Sequence, residues 1–101
     1  MSMKKEYLKD KPVCRVTFFL LPHTVANAPS VAVAGDFNGW NQTAHIMKKG
    51  KDGTFTLTID LPINKEYQFK YVAHGNWYNE EDADAYAYSS FSNCDNSVID
   101  A

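Results

Sequence analysis

Three stretches of this chain alternate apolar and polar residues with a period of two. Over residues 13–21, Val16, Phe18 and Leu20 fall on one face, with Arg15, Thr17 and Phe19 on the other. Residues 54–60 set Phe55, Leu57 and Ile59 against Thr54, Thr56 and Thr58. Residues 66–73 set Tyr67, Phe69 and Tyr71 against Glu66, Gln68 and Lys70. Successive side chains of a strand leave on opposite faces, so each stretch predicts a strand with one face buried. Shorter strands are predicted over residues 31–34, within residues 47–51 and over residues 96–99. No window carries the period of an amphipathic helix.

Turn residues punctuate these stretches. Pro22 ends the first, because proline has no N–H to give to a ladder. Gly35, Asn38-Gly39, Asp52-Gly53, Pro62 with Asn64, and His74-Gly75 mark further reversals. Short strands with frequent turns predict an all-β fold, an immunoglobulin-like antiparallel β-sandwich. Residues 1–11, polar and lysine-rich, are expected to be a flexible lead-in, and residues 79–93 a polar, irregular segment. Residues 12–101 are then expected to form a single domain.

Composition narrows the function more than the fold. A chain of 101 residues with 45% hydrophobic content can build one core, with no cofactor needed to hold it. The net charge is −2 with both signs interspersed, which argues against nucleic acid, since phosphate binding needs a concentrated basic footprint. No apolar run is long enough to span a membrane. No apolar stretch follows Lys4-Lys5 before Val13, so no signal peptide is expected and the location is expected to be cytoplasmic. Cys14 and Cys94 match no metal spacing, and His23, His45 and His74 are scattered, so no metal site is expected. Aromatic residues make up 14% of the chain, and several fall outside the predicted core strands, which points to a binding surface.

Catalysis finds little support. Glycoside hydrolysis needs two carboxylates about 5–9 Å apart in a cleft. The one acidic cluster, Glu80-Glu81-Asp82 with Asp84, lies in a single polar segment and reads as hydrated surface. Its spacing is not that of a calcium-binding EF-hand. Neither cysteine has an identifiable base beside it.

The run Val31-Ala32-Val33-Ala34-Gly35-Asp36-Phe37-Asn38-Gly39-Trp40 resembles family-48 carbohydrate-binding modules. Such modules precede the catalytic domains of isoamylases and branching enzymes and form the glycogen-binding domain of AMP-activated protein kinase β subunits. The likeness continues through Asp52-Gly53-Thr54-Phe55, Tyr67-Gln68-Phe69-Lys70-Tyr71, Gly75-Asn76-Trp77, Ala83-Asp84-Ala85-Tyr86 and Asn96-Ser97-Val98. Each block alone is weak, whereas the ordered set is specific. The resemblance implies the early-set variety of the immunoglobulin-like sandwich and a non-catalytic module for glycogen, starch or a maltooligosaccharide, that is, an α-1,4-linked glucan. It places the family's sugar-stacking tryptophans on Trp40 and Trp77, its sugar-bonding lysine on Lys70 and its sugar-bonding asparagine on Asn96. Kinase-type members carry a leucine in the loop before that asparagine, and here Phe91 is the residue that could substitute. Members also carry Asp-Pro shortly after the second tryptophan, where this chain reads Glu80-Glu81.

The residue types suit the implied ligand. A sugar ring has a face of C–H bonds that an indole can stack on, and a rim of hydroxyls. Lys70, opposite the Tyr67, Phe69 and Tyr71 face, is expected to point to solvent and donate to hydroxyls, and Asn96 can both donate and accept. Taken singly, Trp40 or Trp77 is as readily a core residue, Lys70 a solvated charge and Asn96 a turn residue. Polar neighbours around both tryptophans favour exposure. Asp36 and Asn38 are expected to bond their own loop and hold Trp40 in place. The alternative is a protein-interaction or regulatory module docking onto a glucan-metabolising enzyme, with Phe19 and Leu21 as its contact if exposed. Trp77→Ala separates the two readings, since it removes only sugar binding.

Overall fold

The computed structural model describes residues 3–81, 83–90 and 94–101. Among the described residues nine strands follow in order: β1 (Met3–Tyr7), β2 (Val13–Leu20), β3 (Ala32–Gly35), β4 (Lys48–Lys49), β5 (Phe55–Pro62), β6 (Glu66–Ala73), β7 (Asn76–Tyr78), β8 (Ala85–Ser89) and β9 (Cys94–Asp100). They pair in two antiparallel sheets, β1-β2-β5-β4 and β3-β6-β9-β8, with β7 added beside β6. This is the immunoglobulin-like sandwich expected from the strand pattern. No helix among the described residues is long and apolar enough to cross a membrane.

The alternation decides what lies between the sheets. From β2, Cys14, Val16, Phe18 and Leu20 are buried, and β6 supplies Tyr67, Phe69 and Tyr71. The rings meet across the sandwich: Phe18 lies 5.2 Å from Phe69 and 6.1 Å from Tyr71, the latter edge-on at 87°. Such pairs add about 0.5–1.5 kcal/mol each beyond the area they bury. Leu57 and Ile59 of β5 are half-buried and pack against the same core. After β2, Pro22 starts a short 3₁₀ turn, Pro22–Val25, that drops Val25 into the core.

Four expectations are corrected. Residues 3–7 of the supposed lead-in form the edge strand β1, in register with β2 from Met3 opposite Phe18 to Tyr7 opposite Cys14. Met3 is buried, and Lys5 Nζ donates to Asp84 Oδ2 at 2.9 Å, so a polar strand is held by one apolar anchor and a cross-sheet ion pair. The segment read as irregular contains β8, paired with β9 from Ala85 opposite Val98 to Ser89 opposite Cys94. The last strand begins at Cys94, ahead of the expected start at Asn96. Glu80, read as hydrated surface, is 1% exposed. Local hydropathy could not reveal these, because in each case a neighbouring strand supplies the backbone or side-chain partners. Cys14 lies in the core and Cys94 on the other sheet, not joined by a disulfide.

Candidate functional site

The outward face of the second sheet carries the residues that the inward aromatics of β6 leave over: Gln68, Lys70 and Val72. Ala32 lies opposite Val72 and Ala34 opposite Lys70 across β3–β6. Small side chains there leave a shallow shelf, and Trp40 packs on Ala32, Ala34 and Val72. Trp77 lies opposite Val72 on the other side, across β6–β7.

Each tryptophan is delivered by a specific turn. After β3 a 3₁₀ turn, Asp36–Asn38, leads into Gly39 at φ 65° and Trp40 at φ 60°. A bulky residue in the left-handed region costs about 1–2 kcal/mol, so the loop must over-determine it. It does so with several bonds. The Trp40 amide donates to Gly35 O at 2.9 Å, and its indole Nε1 donates to Asp36 Oδ1 at 3.0 Å. Asp36 Oδ2 accepts from the Gln68 amide of β6 at 2.8 Å, tying the loop to the sheet. Asn38 Oδ1 accepts from the Gly35 amide, and Asn38 Nδ2 bonds Val33 O and His45 Nδ1, each at 2.9 Å. Trp77 follows the two-residue turn His74-Gly75, both at positive φ (54° and 74°), the turn that matches strand twist in a tight hairpin.

The two indoles meet, with centroids 6.3 Å apart and planes inclined at 54°. Trp77 is 42% exposed. Beside them opens a groove of about 770 Å³, within the range of small-ligand sites. Lys70 and Asn96 are in its floor, each 6% exposed, with Gln68 between. Asn96 Nδ2 donates to Gln68 Oε1 at 3.0 Å, and Lys70 Nζ donates to Cys94 Sγ at 3.3 Å. Asp36, Gln42 and Ser89 complete the wall.

Trp40, Lys70, Trp77 and Asn96 are therefore brought to one groove. Lys70 departs from its expected exposure: it leaves the outward face as the pattern requires, but is only 6% exposed, with its ammonium bonded to Cys94 of β9. Phe91 lies outside the described residues. Asp36 bonds the indole itself as well as the neighbouring strand, more than the loop-holding part expected of it. Gln68, Gln42, Ser89 and Cys94 were not singled out as site residues. Gln68 was legible from its place two residues before Lys70 on one strand face, and Cys94 from the same spacing to Asn96. Gln42 and Ser89 had no such signal. Asp36 is the sole carboxylate in the groove among the described residues, and both its oxygens accept hydrogen bonds. No cluster of metal-ligating side chains occurs among the described residues. Leu21 is 53% exposed and Phe19 is half-buried.

Residues 25–87, more than half of the chain, match the family model of Carbohydrate-binding module 48 (Isoamylase N-terminal domain). An alpha-amylase of Niallia circulans is 37% identical over 62 residues, covering 59% of this chain and 5% of the amylase. A 1,4-alpha-glucan branching enzyme GlgB of Butyrivibrio fibrisolvens is 47% identical over 49 residues, 46% of this chain and 8% of the enzyme. The branching enzyme GlgB of Rhodopirellula baltica is 35% identical over 65 residues, 60% of this chain and 9% of the enzyme. The chain thus spans less than a tenth of the curated relatives it matches. The matched residues include the Trp40 loop, Lys70 and Trp77 and stop short of Asn96. By its ordered motifs and its sandwich together, the chain belongs to the family of carbohydrate-binding modules 48, the isoamylase N-terminal domains.

Proposed function

We infer that this protein binds α-1,4-linked glucan chains in the groove of its second sheet and performs no reaction there. The observation that carries the reading is the pair of adjoining indoles above a polar floor. Two inclined aromatic faces suit successive rings of a curved chain, each stacking through its C–H face. Lys70 donates and Asn96 with Gln68 both donate and accept, which matches neutral hydroxyls that do both. The one carboxylate lining the groove among the described residues, Asp36, is occupied by Trp40 and the Gln68 amide, which supports binding over hydrolysis, since glycosidases use a spaced pair. Names of the relatives place them in α-glucan chemistry, in keeping with a module that holds the polymer for an enzyme.

Stacking sites of this size on neutral sugars reach about −4 to −7 kcal/mol, or roughly millimolar to ten-micromolar affinity. The test is a titration of tryptophan fluorescence with maltoheptaose or β-cyclodextrin, wild type beside Trp77→Ala. A saturable change lost in the folded variant is expected. Silence of the wild type up to about 10 mM ligand, beyond the weak end of such sites, defeats the reading.

A further inference from the structure

Glu80 is buried yet lines no part of the groove. Its Oε1 accepts the Tyr71 phenol at 2.6 Å. That phenol is a fixed point, because the Tyr71 ring is set edge-on between Phe18, at 6.1 Å and 87°, and Phe69, at 5.7 Å and 85°. Burial, with the Glu80 charge adding to it, pushes the phenol far above its ordinary range, so it stays a donor. The Glu80 amide donates to Ser97 Oγ at 2.8 Å, Ser97 Oγ donates to Asn79 Oδ1 at 2.9 Å, and Asn79 Nδ2 donates to Asp95 O at 2.9 Å. The Tyr86 hydroxyl closes over the same segment, donating to the carbonyls of Glu80 and Glu81.

These bonds join two short stretches. Residues 79–81 come directly after Trp77-Tyr78, and residues 95–97 flank Asn96. The hairpin carrying Trp77 is only three residues wide on its return strand, too short to hold an indole by ladder bonds alone. A buried carboxylate is expensive unless its hydrogen bonds are made, and apolar residues of similar size commonly fill such space at lower cost. The polar knot gives what an apolar plug cannot: directional bonds that set the strand end bearing Trp77 against the strand bearing Asn96.

We propose that Glu80 is a positioning residue for ligand binding, fixing Trp77 relative to Trp40 and Asn96 through Tyr71 and Ser97 without touching the ligand. The proposal rests on the reading of the groove as the glucan site, but its first readout needs no glucan. Two indoles 6.3 Å apart and inclined at 54° couple as excitons, and the circular dichroism couplet they produce reports their mutual geometry. Glu80→Ala and Tyr71→Phe, the latter losing a single oxygen, should both shrink the couplet and weaken maltoheptaose binding about tenfold. Glu80→Gln, which keeps an acceptor for Tyr71, should restore most of both. Val16→Ala, in the core beneath the first sheet, should lower Tm and leave couplet and affinity as they were. A couplet unchanged in Glu80→Ala and Tyr71→Phe overturns the proposal, and so does an equal loss in Val16→Ala. A couplet that depends on Glu80 in a wild type blind to maltoheptaose supports the positioning of Trp77 and sinks the glucan reading instead.

Discussion

On the outward face of the first sheet, Arg15 Nε donates to Asp60 Oδ1 at 2.9 Å, and the Thr17 and Thr58 hydroxyls lie 3.1 Å apart. These are cross-strand pairs in water, each worth little once solvent screens it. The outward face of the second sheet starts from the same alternation but carries alanines where the first carries threonines. The Trp40 indole then settles over Ala32, Ala34 and Val72 with Trp77 beside it, and the polar residues Lys70 and Asn96 lie nearly buried. The difference shows how a sandwich acquires a site. The first face is polar and open to water, whereas the second combines a shelf of small apolar residues and two tight turns with polar groups that are nearly buried, the arrangement a binding site needs.

The contrast can be broken most severely at Gly35, where the loop leaves the second sheet. A Cβ there would lie 2.5 Å from Gln68 O and 2.8 Å from Phe69 Cβ, so backbone must move. Gly35→Ala is expected to cost about 2–3 kcal/mol in urea unfolding and to weaken glucan binding along with it. Unchanged stability would mean that the loop is not held as tightly as its contacts imply.

Lys70→Met should separate binding from stability. The methionine keeps the length and apolar stem and removes the ammonium. Maltoheptaose affinity measured by calorimetry is expected to fall about tenfold, while the unfolding midpoint changes little, because a desolvated charge contributes little net stability. A large stability loss with intact affinity would reverse the roles assigned to the floor.

Asp36→Ala comes next. Trp40 loses its indole acceptor, and a three- to tenfold weakening is expected, roughly the net worth of one ordinary hydrogen bond. Steady-state emission should shift to the red as the indole moves into water. Constant emission and affinity would show that the shelf alone holds Trp40.

The smallest effect belongs to the first sheet. The Arg15 guanidinium bonded to Asp60 holds its carboxyl below the usual range. A depressed carboxylate adds stability above its unfolded value, near pH 4, and loses it as pH falls through the lower folded value. Arg15→Ala should flatten this slight acid dependence in unfolding curves and leave maltoheptaose affinity unaltered. Any effect on affinity would mean that the two outward faces communicate.

Much of this was legible in the residues themselves. Period-two alternation located β2, β5 and β6 and told which side of each meets the core, because a strand has only two faces and water penalises the wrong choice. The ordered motifs from Val31 to Val98 brought Trp40, Lys70, Trp77 and Asn96 into one expected site before any neighbour was known, and the groove is lined by all four. Turn residues at Gly39 and His74-Gly75 foretold where the indoles would emerge, since few residue types tolerate the left-handed region.

Tertiary structure alone decided the rest. β1 is polar in sequence and β8 a short alanine–tyrosine run inside a polar segment, and each becomes a strand because a paired edge next to it offers backbone partners. Glu80 reads as a hydrated acid and is interior, because Tyr71, nine residues earlier on β6, arrives to bond it. Lys70 reads as exposed and is nearly buried, its ammonium bonded to Cys94 of β9, a strand distant in sequence. Local hydropathy reports the side of a strand on which a residue leaves; only the packed chain decides what waits there.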